Sequence, residues 1–229
     1  MTYAVANLYG RLDRFNELLK KISFSDNDVM YILGNIVDHG EQSLDLVNDI
    51  SVRYNVYSVL GEHDYKAYML LSEFDKMLTE GGAPSPEFSR DMIAWSQMGG
   101  MQTLEAFKSA DKDTREGFLE YLSELPVFEE AEVSGEEYVL VSSGIKNFDA
   151  DKDILDYDLE DVVGADFDMD KQYFDGKKTV VGYLDYGHTP AGASGKICKK
   201  GNNIALACDV SENGEIACLC LENGREYYV

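Results

Sequence analysis

Three short apolar runs, each closing in a polar loop that carries glycine, confine residues 1–64 to one kind of architecture. "TYAVAN" reads as a buried strand, and after Gly10 the stretch "RLDRFNELLKKI" sets Leu12, Phe15, Leu18, Leu19 and Ile22 at helical spacing. "DVMYIL" is a second strand, "SLDLVNDISVRY" a helix with Leu44, Val47 and Ile50 on one face, and "NVYSVL" a third strand. Strand and helix alternating at this interval make a parallel βαβαβ unit. In such a unit the loops Asn7–Gly10, Gly34–Gly40 and Gly61–Asp64 leave the strands at one edge of the sheet. That edge is where α/β proteins assemble their sites.

The remainder is organised differently. From about Lys66 to Glu124 the pattern is helical, interrupted by "GGAPSP" and "MGG". Beyond Pro126, "YVLVSSGI" and "TVVGYLDYGHTP" read as strands running into loops. The tail from Lys196 reads as an antiparallel meander with turns at Gly201-Asn202, Asn213-Gly214 and Asn223-Gly224. With no internal repeat and no flexible linker, the expectation is a single domain over residues 1–229, an α/β mixed-sheet system with a helical insertion at about 66–124.

Charge narrows the partners. With 43 acids against 20 bases, the formal net charge of −23 repels phosphate backbones and argues against a nucleic-acid partner. No apolar stretch approaches the ~18 residues of a membrane span, and "MTYAVANLYG" lacks the basic start and long apolar core of a signal peptide. Three of the four cysteines crowd between Cys208 and Cys220, with Cys198 just before, which fits a reduced, cytoplasmic protein with no membrane partner. Cys218 and Cys220 lie two apart on one strand, with apolar flanks that favour core thiols over a metal site.

The loops also spell a pattern. "NLYG" (Asn7–Gly10), "GNIVDHG" (Gly34–Gly40), "GEHD" (Gly61–Asp64), "LVSSG" (Leu140–Gly144) and "GHTP" (Gly187–Pro190) occur in this order, and the insertion holds "WSQMGGMQTLEAF". The chain thereby resembles the calcineurin-like metallophosphoesterases, in particular bacterial serine/threonine protein phosphatases and diadenosine tetraphosphatases. That family carries D-x-H-G, G-D-x-V-D-R-G, G-N-H-D/E, a His in L-V-H-A-G, G-H-T-P, and W-x-x-x-G-G-x-x-T-L in the insertion. The resemblance implies a β-sandwich of mixed sheets flanked by helices, with two divalent ions held at the strand ends by six side chains. At those six positions this chain has Asn7, Tyr9, Asn35, Glu62, Ser142 and His188, and only His188 keeps the family residue.

Coordination chemistry gives this departure its weight. Hard dications need anionic oxygens, and an amide at Asn7 or Asn35 keeps the shape of Asp without its charge. The Tyr9 phenol is neutral near pH 7, so the paired site is expected to be lost. What survives is the dyad that the resemblance assigns to leaving-group protonation, Asp38 and His63. The phosphate-gripping Arg of the family is His39 here. These residues imply a pseudophosphatase that binds a protein partner or a small-molecule ligand and carries no cofactor. The alternative is a weak metal-dependent phosphoesterase with a single Mn, Fe or Zn at Glu62 and His188, aided by Asp64 or the Asn35 oxygen. Elsewhere the expectations are plain ones: "DADKDILDYDLED" as a solvated helix face, and Trp95, Met98 and Met101 as packing between the insertion helices.

Overall fold

A computed structural model describes residues 1–184, 195–208 and 214–229. The strands expected at the start form: β1 (Thr2–Val5), β2 (Val29–Leu33) and β3 (Val56–Val59) pair in parallel, joined by α1 (Leu12–Ile22) and α2 (Ser43–Ser51). Asp13 in the first turn of α1 and Lys20 and Lys21 in its last complement the helix dipole, and Ser23 ends the helix in a left-handed conformation. Four helices then follow, α3 (Glu62–Glu80), α4 (Pro86–Trp95), α5 (Met101–Ser109) and α6 (Lys112–Ser123). None of the described helices is long and apolar enough to cross a membrane.

The "GGAPSP" break acts as a helix start. Ser85 caps α4 by accepting the Phe88 N–H at 3.0 Å, and Pro86 occupies the first turn, where a missing N–H costs nothing. Ser85→Ala is therefore expected to lower stability by about 1 kcal/mol in chemical denaturation.

After α6 come β4 (Phe128–Val133), β5 (Glu136–Val141), the short α7 (Leu159–Val162), β6 (Lys178–Leu184), β7 (Cys198–Lys200), β8 (Asn203–Cys208), β9 (Ala217–Cys220) and β10 (Glu226–Tyr228). They complete two mixed five-stranded sheets, ordered β10-β9-β1-β2-β3 and β4-β5-β6-β8-β7. The tail is thus not one meander. Its hairpins at Gly201-Asn202 and Asn223-Gly224 form, but β7–β8 joins the second sheet while β9–β10 extends the first beside β1. Hairpin signals report local pairing and carry no information on which sheet receives the hairpin. The third expected turn includes Asn213, outside the described residues.

Side-chain alternation sorts the core into three layers. Ala4, Leu33, Val59, Leu140, Val180, Leu206 and Leu219 fill the space between the sheets. Val5, Met30 and Ile32 face the helices, against Phe15, Leu18, Leu46, Ile50 and Leu71. Val139, Val141 and Val181 face outward on the second sheet, where Ile154, Phe167 and Tyr173 cover them. The sheets approach closely beside the site: a Cβ at Gly182 would lie 2.2 Å from the Leu33 carbonyl oxygen. The acidic "DADKDILDYDLED" stretch is no helix face. It folds as a 3₁₀ turn at Ile154–Asp156 and the one-turn α7, with Asp149 and Asp153 accepting the N–H groups of Asp151 and Leu155. Short acidic side chains compete with helical hydrogen bonding in this way.

Candidate functional site

The three loops converge at the C-terminal edge of β1, β2 and β3, and hydrogen bonds fasten them together. Asn7 N–H donates to Gly34 O at 3.1 Å and Tyr9 N–H to Asn35 O at 3.0 Å. Asn7, Tyr9, Asn35, Asp38 and His39 all lie at positive φ, between 48° and 75°. Asn and Asp reach this region with little strain, whereas Tyr9 is a true outlier. Arg11 secures the first loop from behind. Half-buried and without a carboxylate partner among the described residues, its guanidinium donates to the carbonyls of Asn7, Leu8 and Gly214, and burial lowers its pKa.

Asp64 ties the second and third loops. Its Oδ1 accepts the N–H groups of Ile36 and Val37 at 2.8 and 3.1 Å, and its Oδ2 accepts that of Gly61 at 3.0 Å. Complete burial pushes the carboxyl up to about 6 although all three donors pull it down.

The expected dyad is assembled. His63, in the first turn of α3, places Nδ1 2.8 Å from Asp38 Oδ2. A carboxylate oxygen accepts, so the bond selects the Nδ1–H tautomer and turns Nε2 away from Asp38. Two further donors come from the insertion, where packing alone was expected of Trp95. Its Nε1–H donates to Asp38 Oδ2 at 2.8 Å, and Thr103 Oγ1 donates to Asp38 Oδ1 at 2.9 Å. With the Thr103 proton so directed, Ser43 Oγ, 3.0 Å away, supplies its own proton to Thr103. A buried indole must find an acceptor, which was the available sequence signal for Trp95. Met98 and Met101, by contrast, stand exposed rather than packed between helices.

His39 sits beside the dyad. Its N–H donates to Gly99 O at 2.8 Å, and its ring lies 4.8 Å from Tyr9 and 4.9 Å from His63. Gly99, at φ 106°, belongs to the "MGG" break, and a Cβ there would fall 2.4 Å from the His39 ring. The break therefore lets the insertion backbone reach the imidazole.

Of the six positions that the resemblance assigns to metal, Asn7, Asn35 and Glu62 are held by hydrogen bonds or an ion pair. Asn35 Nδ2 donates to Asn7 Oδ1 at 2.9 Å, and Asn35 Oδ1 accepts the His63 N–H at 3.2 Å. Asn7 Nδ2 is buried and has no partner among the described residues. Glu62, on the first turn of α3, forms an ion pair with Lys66 at 2.5 Å. Ser142, at the end of β5, is 3% exposed and makes no side-chain hydrogen bond among the described residues. His188 lies outside the described residues.

Among the described residues this donor set does not fit a pair of dications. An N–H points where a bridging anion is needed, and both Asp64 oxygens and the Asn35 oxygen are already committed to backbone donors. A single ion drawing on Asp64 or Asn35 would have to share oxygens that already accept three backbone N–H groups and one, respectively. No three His, Cys, Asp or Glu side chains gather as a cation site among the described residues.

Beside these residues opens a cavity of about 210 Å³, lined by Asn35, Glu62, Ser142, Asp166 and Tyr183 among others. A broader one of about 690 Å³ shares its Gly164–Asp166 wall.

Known proteins share this framework. A solved structure of a candidate diadenosine tetraphosphatase superposes with TM-score 0.62 at 18% identity, covering 100% of this chain and 92% of that one. A protein serine/threonine phosphatase from Saccharomyces cerevisiae gives 0.56 at 13% identity, covering 98% of this chain and 75% of its own. In sequence, the symmetrical bis(5'-nucleosyl)-tetraphosphatase of Haemophilus ducreyi is 40% identical over 65 residues, 28% of this chain and 24% of the relative. Its counterpart from Buchnera aphidicola is 38% identical over the same length and shares. The match thus spans about a quarter of these relatives. The family model described as calcineurin-like phosphoesterase matches residues 4–214. Fold, loop order and this match agree, and the chain belongs to the calcineurin-like phosphoesterase family.

Proposed function

We propose that this phosphoesterase-fold protein has no two-metal phosphatase chemistry and acts in the cytoplasm by binding a partner or ligand at the vacated strand edge. One observation carries the reading: the hydrogen bond from the Asn35 amide to the Asn7 amide at 2.9 Å, with the buried Asn7 Nδ2 left without a partner among the described residues, at the positions assigned to metal-bridging and metal-binding acids. Without an ion, attacking water keeps a pKa of about 15.7 instead of roughly 7, a deficit in hydroxide on the order of a hundred-million-fold. The dyad cannot replace that term, because it serves the leaving group.

The test is metal content, measured beside hydrolysis of p-nitrophenyl phosphate and diadenosine tetraphosphate with added Mn²⁺. The wild type is expected to purify without stoichiometric metal and to show no turnover that chelator abolishes. A variant carrying Asn7→Asp, Tyr9→His, Asn35→Asp, His39→Arg, Glu62→Asn and Ser142→His is expected to bind Mn²⁺ at least about 100-fold more tightly. Robust metal-dependent turnover by the wild type would falsify the reading.

The second reading, a weak phosphoesterase of the tetraphosphatase kind, draws support from the Asp38–His63 dyad, whose carboxylate also accepts from Trp95 and Thr103. It requires chelator-sensitive turnover that Asp38→Asn and His63→Ala each remove.

A further inference from the structure

We infer that the cavity at the vacated strand edge binds a compact primary amine. This deepens the binding role proposed above and rests on it, since a metal pair would occupy the same edge.

The lining residues show an inverted polarity. A phosphate site needs basic donors, and among the described residues no Lys, Arg or His lines this cavity. It offers instead the carboxylates of Glu62 and Asp166 and the hydroxyl of Ser142. Asp166 is exposed and forms no ion pair among the described residues. Ser142, 97% withdrawn from solvent by its 3% exposure, leaves an unused hydroxyl on the cavity wall. Its neighbour Ser143 is committed, accepting the Gly164 N–H at 2.9 Å and donating toward the Val162 carbonyl. Asn35 has one of its two amide N–H groups engaged with Asn7 and its oxygen with the His63 N–H. The capacity left open is therefore chiefly that of acceptors: the Asp166 carboxylate, the Glu62 oxygen not bonded to Lys66, and the Ser142 hydroxyl.

An alkylammonium supplies three donors on one nitrogen and matches that set. A polyol matches the hydroxyl but leaves the Asp166 charge without compensation, and an oxyanion is repelled by the carboxylates. The Glu62–Lys66 pair is no obstacle, because its side chains are 44% and 36% exposed and exchange of partners there costs little. The rings of Phe167 and Tyr183 line the same space and suit the methylenes that carry the amine. At about 210 Å³ the cavity falls below the roughly 300 Å³ at which drug-sized sites begin, so the ligand is small. The net charge of −23 raises the local concentration of any cation and aids capture.

The probe is 1,4-diaminobutane, titrated calorimetrically into the whole protein beside 1,4-butanediol, inorganic phosphate and Mn²⁺. The expected result is saturable one-to-one binding of the diamine and none of the diol or phosphate. Asp166→Asn, a surface change that leaves the core intact, is expected to weaken binding about tenfold or more. Ser142→Ala is expected to weaken it several-fold, and Asp113→Asn on the distant α6 to leave it unchanged. Equal losses from Asp113→Asn and Asp166→Asn would mean diffuse attraction to an acidic surface and would overturn the inference. So would equal binding of diol and diamine. No diamine binding by a protein that also proves metal-free and inactive overturns this inference alone. Stoichiometric Mn²⁺ with turnover overturns the reading beneath it as well.

Discussion

Asp38→Ala is expected to destabilise the protein by about 3–5 kcal/mol, the range for removing one partner from a buried charged cluster. Asp38 has no exposure and is the common acceptor for His63, Trp95 and Thr103. Truncation leaves the Trp95 indole N–H buried without its acceptor and removes the carboxylate that ties α4 and α5 to the loop after β2. The bonds from the Asp38 N–H to Thr103 and from the His39 N–H to Gly99 remain. Asp38→Asn separates shape from charge. At φ 75° Asn is accommodated as readily as Asp, so backbone strain does not enter. The amide has a single oxygen and must turn its NH₂ toward one of the former donors, for an expected loss of about 1–3 kcal/mol. Chemical denaturation followed by tryptophan emission reads both variants, since Trp95 is the only tryptophan and touches the substituted carboxylate. A loss under about 1 kcal/mol for the alanine variant would contradict the clasp described for Asp38.

The Asp64 carboxyl should make stability depend on pH in the opposite sense to the usual salt-bridged acid. Burial raises its pKa in the folded state from 3.8 to about 6. The contribution is therefore fully present below about 3.8 and is lost as pH rises through about 6. With about 1.4 kcal/mol per unit, the loss over that window is on the order of 3 kcal/mol. Glu222 and Glu226, whose pKa values fall in the folded state, work the other way over part of the same range. The measurement is thus a difference: unfolding free energy of wild type minus Asp64→Asn, from pH 4 to 7.5. That difference is expected to fall steadily through pH 6. A flat profile would show that the three backbone donors outweigh burial.

Much of this molecule can be read from residue spacing. Leu12, Phe15, Leu18 and Ile22 fix α1, and the alternation of Tyr3 and Val5 with Ala4 fixes which face of β1 meets the helices. Convergence of the three loops follows from parallel pairing alone. The tail was harder, because the partner of β9 is β1, more than two hundred positions earlier, and no local pattern encodes that choice. The Asp38–His63 pairing came through the family resemblance, whereas its ties to Trp95 and Thr103 depend on how α4 and α5 pack. Ser142 and Asp166 meet across a cavity whose walls come from different sheets and loops, so their shared use was beyond any motif. His188, the one family ligand that the chain retains, lies outside the described residues.

The left-handed backbone at Asn7, Tyr9, Asn35, Asp38 and His39 has one last consequence. The contour of the cleft is inscribed in the main chain and owes nothing to a guest, so an incoming molecule meets walls already set and need order only itself. Swapping an amide nitrogen for an oxygen at either asparagine would change what the cleft selects while leaving its outline as it stands.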